Sequence, residues 1–251
     1  VKVEHTRGHG AEVVLVGESY DEAAVVALRL REERGLVFVH PFNDFDVMAG
    51  QGTVALEMLE DVPDLEILPV PIGGGGLIAG MAVAAKSINP DIRIMGVEPA
   101  MYPSFTARMR GMNTNSGGQT IAEGIAVKQV GDQAYSIARP LVEDVLLVEE
   151  PYFERAISLY CTVEKTIAEG AGAASLAALL AFPEKFRGKK CGLILCGGNI
   201  DTRLLAAIMV RELEREGRIV SFRLTTSDRP GLLGKVASLL GNEGANILEV
   251  S

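Results

Sequence analysis

The sequence predicts an α/β fold built on a doubly wound, mostly parallel sheet. Runs of apolar, β-branched residues alternate with helix-like runs along most of the chain, the pattern of a parallel sheet covered on both faces. Two glycine clusters, Gly73–Gly76 and Gly197–Gly198, each follow such a run; in these folds ligands bind beyond the carboxyl ends of the strands. Aromatic residues make up only 5% of 251 residues while 28 are Gly, which suits close helix–sheet packing rather than an aromatic-rich sandwich.

Each element has its own signal. Val1–Val3 reads as part of a strand, and Ala11–Val16 (AEVVLV) as a second. Tyr20–Glu33 reads as a helix, with Asp21 and Glu22 in the first turn where the helix dipole favours negative charge. Leu36–His40 (LVFVH) is a strand closed by Pro41, and residues 42–48 follow as a loop. Gly50–Glu60 is amphipathic through Val54, Leu56, Met58 and Leu59. The strand Leu65–Pro71 leads through the first glycine cluster into a helix over Leu77–Ser87, and Ile92–Val97 is the next strand. Residues 100–130, with NTNSGGQT at 113–120, read as loop. Val145–Val148 is a short strand, Pro151–Glu169 a long helix, and Gly172–Ala181 a buried Ala-rich run. Lys190–Cys196 is a strand and Asp201–Glu214 a helix. After Gly217 the style changes to one compact βαβ unit: strand Ile219–Thr225, helix Leu232–Asn242 opened by Asp228-Arg229-Pro230-Gly231, and strand Asn246–Val250.

Composition excludes several function classes. A net charge of −9 argues against a basic face for nucleic acid. The longest apolar stretch, Ile72–Ala85, is shorter than the ~20 residues of a membrane span. No signal peptide is visible. Three cysteines (161, 191 and 196) without a CxxC pair suit a reduced, cytoplasmic compartment and form neither a disulfide framework nor a zinc site. Strand-like runs at both ends, Val1–Val3 and NILEVS, lead us to expect a fragment.

The glycine cluster Gly73–Gly76 with Leu77 lies between a strand and a helix. Free N–H groups at a helix start, with the dipole behind them, bind anions. Close helix–sheet packing alone would also call for glycine there, but four in succession favour a phosphate. Gly74-x-Gly76-x-x-Ala79 followed by Glu98 fits a dinucleotide fingerprint, so NAD is one reading; Pro71 and Pro99 weaken it, and it leaves LCGGNID (195–201) unexplained. In that second loop Cys196 would end a central strand. Its thiol could be a nucleophile, a weak hydrogen-bond partner or a buried apolar group; all three His lie in the first forty residues, so no neighbouring base activates it.

Five ordered motifs together resemble one family: the run from VPIGGGG to MGVEP (70–99), AGQGT (49–53), TIAEG (120–124), EGAGAA (169–174) and LCGGNID. The chain resembles the threonine ammonia-lyases (threonine dehydratases) of the fold type II pyridoxal phosphate enzymes, which include serine racemase. The segment VEHTRGHGAEVVLVGESYDEA (3–23) resembles that family's small domain, and TTSDRPGLLGKVASLLGNEGANILEV (225–250) the first half of an ACT regulatory domain.

The resemblance implies a tryptophan synthase β-like core with a truncated ferredoxin-like ACT unit. Its domains would be residues 1–48 (part of a small domain), 49–217 (cofactor-binding) and 218–251 (half of the ACT domain). Pyridoxal 5'-phosphate is the implied cofactor. Gly73, Gly74, Gly75, Gly76 and Leu77 resemble its phosphate cup, Cys196 the partner of the ring nitrogen, Gly197, Gly198 and Asn199 the same wall, and Glu169 with Gly170 the ring side. Ala122-Glu123-Gly124 matches a loop that usually reads ADG. Glu98 aligns with an acidic cation ligand of serine racemase, but Ser104 stands near the second ligand, so no metal is expected. A thiol cannot stabilise a pyridinium as Asp does, which keeps the ring nitrogen largely neutral and favours prompt loss of a β-hydroxyl.

The implied reaction is α,β-elimination from L-threonine, with L-serine secondary, giving 2-oxobutanoate and ammonia in isoleucine biosynthesis or threonine catabolism. The family's Schiff-base lysine lies in an SFKxRGA-type motif near the N-terminus, and no such motif occurs here. No catalytic residue is therefore assigned in this chain, and activity is expected of an intact parent, as a homodimer or homotetramer. An amino-acid effector would bind at the ACT unit. The alternatives are an NAD-linked oxidoreductase and an inactive amino-acid-binding regulator.

Overall fold

A computed structural model describes all residues of the chain except 1, 18, 19, 114, 115, 226, 228 and 251. The chain divides into two compact units, Val1–Glu212 and Leu213–Ser251.

The first unit is built on three parallel strands, β1 (Ile67–Pro71), β2 (Arg93–Pro99) and β3 (Asp144–Val148), in the order β1-β2-β3. Ile67 is opposite Arg93, and Met95 opposite Asp144. Side chains alternate between faces along each strand, and the core divides accordingly. Leu68, Val70, Ile94 and Val145 pack with α3 (Phe45–Asp61), α4 (Gly76–Ile88) and α6 (Asp132–Ala138). Ile67, Met95, Val97, Leu146 and Val148 pack with α7 (Glu150–Thr162), α8 (Ala174–Ala181) and α10 (Thr202–Arg215). Both faces of the sheet are covered, as the sequence predicts for a doubly wound fold. The α3 and α4 backbones nearly touch: a Cβ on Gly52 would lie 2.9 Å from the Gly80 carbonyl oxygen, and one on Gly80 would overlap that of Met48.

The remaining helices of this unit are α1 (Lys2–Gly8), α2 (Tyr20–Arg34), α5 (Ser104–Arg110) and α9 (Pro183–Phe186). Most predicted helices form, within a few residues at either end. The run at 151–169 is shorter than expected, since α7 stops at Thr162. The stretch 100–130 is not all loop: α5 and a 3₁₀ turn at Glu123–Ile125 form within it. The predicted helix start at Asp228 and the first residue of the strand-like run Val1–Val3 lie outside the described residues. Lys2 and Val3 belong to α1 instead.

Several strand expectations are corrected. Ala11–Val16, Leu36–His40, Ile219–Thr225 and Asn246–Val250 join no ladder among the described residues. A strand requires a neighbouring backbone as well as an apolar run, and these runs expose their apolar side chains, Leu15 at 68% and Val37 at 90%. Among the described residues of the second unit, the helix of the expected βαβ forms, α11 (Leu232–Asn242), and its two strands do not.

Lys190–Cys196 makes a single parallel bridge, Ile67 with Cys191. Ile67 N–H donates to the Lys190 carbonyl (3.2 Å) and Gly192 N–H to the Ile67 carbonyl (2.9 Å). The next rungs would need N–H groups at Pro69 and Pro71, which proline lacks. The Pro69 carbonyl already accepts from Ser175 Oγ on α8 at 2.7 Å. The ladder therefore ends after one rung, and Cys196 follows an extended segment rather than a paired strand.

Candidate functional site

The loop after β1 places four glycines where a strand ends and α4 begins. Gly75 is the residue before the helix, with φ +94°, a conformation that glycine adopts without penalty. Gly73, Gly74, Gly75 and Gly76 are buried and Leu77 is half-buried. The first turn of a helix leaves its N–H groups unused, and the first bond into α4 runs from Ala79 N–H to the Gly75 carbonyl at 3.0 Å. Among the described residues, no hydrogen bond engages the N–H groups of Gly73 to Leu77. Buried backbone donors are normally paired. A row of orphan donors at the start of a 13-residue helix fits an anion such as a phosphate.

The Cβ side of the loop is filled by protein. A side chain on Gly74 would overlap the Phe42 ring, and a Cβ on Gly76 would lie 2.8 Å from the Phe42 carbonyl oxygen. On Gly75 it would meet Val130 Cγ2 at 2.9 Å, and on Gly73 the Ile125 Cα at 3.1 Å. The glycines are therefore required by packing, and their unengaged N–H groups are compatible with the phosphate reading of the sequence.

The other motif residues assemble beside this loop through glycine contacts. Gly73 abuts the 3₁₀ turn that begins at Glu123. A Cβ on Gly124 would lie 3.0 Å from Ala171 Cβ and 3.5 Å from Glu169 Oε1, and one on Gly197 would overlap the Glu169 carboxylate. Glu169 N–H donates to the Gly197 carbonyl at 2.9 Å. Cys196 Sγ approaches the Ala171 carbonyl at 3.9 Å. Residues from these three loops, Glu123, Gly124, Glu169, Asn199 and Asp201 among them, line a cavity of about 240 Å³. Asp201 also caps α10, accepting from the N–H of Arg203 (2.9 Å) and Leu204 (3.2 Å).

Cys196 is exposed at its surface, yet desolvation by the surrounding wall raises its thiol pKa, and the Glu169 carboxylate adds in the same direction. The thiol is thus held in its neutral form.

Glu98 is spent inside the fold. It is fully buried, and its carboxylate accepts from Phe105 N–H (2.6 Å), Thr106 N–H (3.0 Å), Thr106 Oγ1 (2.7 Å) and Ser104 Oγ (3.3 Å). Burial raises its pKa, partly offset by these bonds. A carboxylate that fastens α5 to the end of β2 in this way is not presented to a ribose, which removes the acid on which the NAD reading depends. Among the described residues, no three His, Cys, Asp or Glu side chains cluster as metal ligands.

Five lysines are engaged locally: Lys86 with the Pro90 carbonyl, Lys165 with that of Thr162, Lys185 with Asp144, Lys189 with Glu66 and Lys190 with Asp64. None of these partners lines the cavity. Among the described residues no helix is long and apolar enough to cross a membrane.

Sequence reasoning missed one contributor. The segment 42–48, read as a loop, supplies Phe42 against Gly74 and Gly76 and then opens α3 at Phe45. Its signal was present in Asp44, whose Oδ1 accepts from Asp46 N–H (2.9 Å) and Val47 N–H (3.0 Å) as a helix cap.

Comparison with known proteins agrees with this geometry. Residues 1–197 match the family model described as pyridoxal-phosphate dependent enzyme. The chain is 42% identical over 251 residues to an L-threonine ammonia-lyase of Thermotoga maritima, covering 99% of this chain and 62% of that protein. It is 44% identical over 248 residues to an L-threonine ammonia-lyase of Geobacter sulfurreducens, covering 98% and 62%. The solved structure of the processed form of threonine deaminase isoform 2 from Solanum lycopersicum superposes with a TM-score of 0.78 at 34% identity, covering 86% of this chain and 60% of that one. The chain thus spans 62% of the length of the two curated relatives. The core is that of the fold type II pyridoxal phosphate enzymes, as the motifs imply, and the cofactor is pyridoxal phosphate rather than NAD. With a family match over residues 1–197 and a glycine loop that fits a phosphate, the chain belongs to the pyridoxal-phosphate dependent enzyme family.

Proposed function

We propose that the intact protein carries out α,β-elimination on L-threonine, releasing 2-oxobutanoate and ammonia, with L-serine as a secondary substrate. The observation that carries this reading is the identity of 42–44% to two L-threonine ammonia-lyases over nearly the whole chain. The glycine loop and cavity supply the matching chemistry.

Gly73–Gly76 and Leu77 would hold the cofactor phosphate through their unengaged N–H groups, with the α4 dipole adding to the attraction. Cys196 would face the ring nitrogen as a neutral thiol, so no anion is placed there to keep a proton on it. Glu169 and Gly197 would shape the wall beside the ring. Pyridoxal phosphate, when bound, supplies the electron sink for the pair left at the substrate Cα. The cavity lined by Glu123, Gly124, Glu169 and Asn199 would receive the amino acid. No lysine of this chain is assigned the covalent attachment of the cofactor; it is proposed to come from a part of the relatives' length that this chain does not span.

The three-part division, with residues 1–48 completing a small domain, 49–217 holding the cofactor and 218–251 forming half of an ACT unit that takes an amino-acid effector, belongs to the same reading. So do a homodimeric or homotetrameric assembly and a cytoplasmic location, the latter on three scattered cysteines without a pairing motif. The test is to supply the intact protein with pyridoxal phosphate and L-threonine and to quantify 2-oxobutanoate and ammonia. Equimolar release of both is expected. NAD binding without release of either would overturn the proposal.

A further inference from the structure

His40–Asp44 (HPFND) forms a strap that touches the starts of three helices. His40 Nδ1 accepts from the N–H groups of Phe42 (3.3 Å) and Asn43 (2.9 Å), which folds the strap into a turn. Phe42 then covers the Cβ side of Gly74 and Gly76 at the start of α4. Asn43 Oδ1 reaches across the chain to accept from the N–H groups of Gln133 (2.9 Å) and Ala134 (3.3 Å), capping α6. Asp44 caps α3.

The cap on α6 bears directly on the glycine loop. Gly131, the residue before α6, donates its N–H to the Gly74 carbonyl at 3.0 Å. The peptide unit is planar and trans, so fixing the Gly74 carbonyl toward α6 fixes the Gly75 N–H in the opposite direction. Gly75 N–H is one of the donors left unengaged at the loop. A chain of constraint therefore runs from Asn43 to α6, to Gly131, to the 74–75 peptide plane, while Phe42 blocks the loop from collapsing toward its Cβ side.

We propose that Asn43 is a positioning residue for the cofactor phosphate: by capping α6 it holds the 74–75 peptide so that the Gly75 N–H faces the anion. This rests on the cofactor reading above. Asn43 is not one of the residues that line the cavity, and in this role it acts through α6, Gly131 and the loop.

The experiment measures the affinity of the intact protein for pyridoxal phosphate and for unphosphorylated pyridoxal, together with amide hydrogen exchange at Gly75, Gly131 and Ala134 in the protein loaded with pyridoxal phosphate, where the anion would engage the Gly75 N–H. Asn43→Ala should lower the preference for the phosphorylated form on the order of fivefold, the usual effect of losing a helix cap, and speed exchange at all three amides. Asn43→Asp, whose carboxylate accepts the same two N–H groups, should restore slow exchange. Gly131→Ala has a backbone that accepts alanine (φ −62°), but its Cβ would lie 2.5 Å from Asn43 Oδ1. It should reproduce the loss even if Asn43→Ala does not fold. Asn89→Ala, at the far end of α4, should leave the preference unchanged.

A wild-type protein that does not prefer the phosphorylated form overturns the cofactor reading itself. A wild-type preference retained in both Asn43→Ala and Gly131→Ala overturns only the role of Asn43.

Discussion

Replacing Gly75 with Ala tests the glycine loop most directly. Two effects add. With φ at +94°, an L-residue at this position costs about 1–2 kcal/mol, as in a left-handed conformation. The new Cβ would also lie 2.9 Å from Val130 Cγ2 and 3.1 Å from Ala134 Cβ. Both neighbours are buried, Val130 at 7% exposure and Ala134 at 0%, so neither yields freely, and overpacking of this kind adds about 1–3 kcal/mol. The expected loss is about 3 kcal/mol, which in a unit of this size lowers Tm by about 6–12 °C. Gly188→Ala provides the comparison. It also has positive φ, +72°, but nothing lies within 4 Å of its Cβ, so it should lose the strain alone, about 1–2 kcal/mol. Urea unfolding of both variants, followed by far-ultraviolet circular dichroism, separates the two effects. If Gly75→Ala is no less stable than Gly188→Ala, the close packing of the loop against Val130 and Ala134 is refuted.

Other expectations concern single side chains. Lys165 is a non-glycine residue at φ +56°; Lys165→Gly should stabilise the fold by up to about 1 kcal/mol, read from the urea midpoint. Glu98 has a raised pKa in the folded state, so its contribution to stability is fully present below the unfolded carboxyl pKa and is lost as pH rises through the folded one. The stability difference between wild type and Glu98→Gln should therefore move in favour of Gln with rising pH, and a constant difference across about pH 4 to 8 would contradict this. The raised pKa of Cys196 predicts that iodoacetamide alkylates it more slowly at neutral pH than a free cysteine, although it is exposed, with the rate climbing at alkaline pH.

The elements legible in the sequence were those specified locally. The β1–glycine–α4 unit declared itself through an apolar run, four glycines and an Ala-rich helix, and it formed within two residues of its expected limits at either end of each element. What was illegible depended on distant partners. Lys190–Cys196 reads as a strand in isolation, yet its pairing is decided by two prolines more than a hundred residues earlier. The runs at 11–16 and 36–40 carry the right residue types and find no ladder among the described residues. Helices α5 and α6, seven residues each, are too short for periodicity to register, and α6 depends on a cap from Asn43, ninety residues before Gln133. The candidate site divides the same way. The unengaged N–H groups of its glycine loop could be read from one stretch of sequence, whereas the meeting of Gly124, Glu169 and Gly197 exists only in the folded chain.

The prolines of β1 have a consequence beyond ending a ladder. Although Ile67 makes one bridge, β1 is the outer strand of the regular sheet, and an outer strand with free backbone groups invites a foreign strand to join it. On its outward side Pro69 and Pro71 offer no N–H, and the Pro69 carbonyl is occupied by Ser175. The main apolar sheet is thereby protected along this side from self-association through β1.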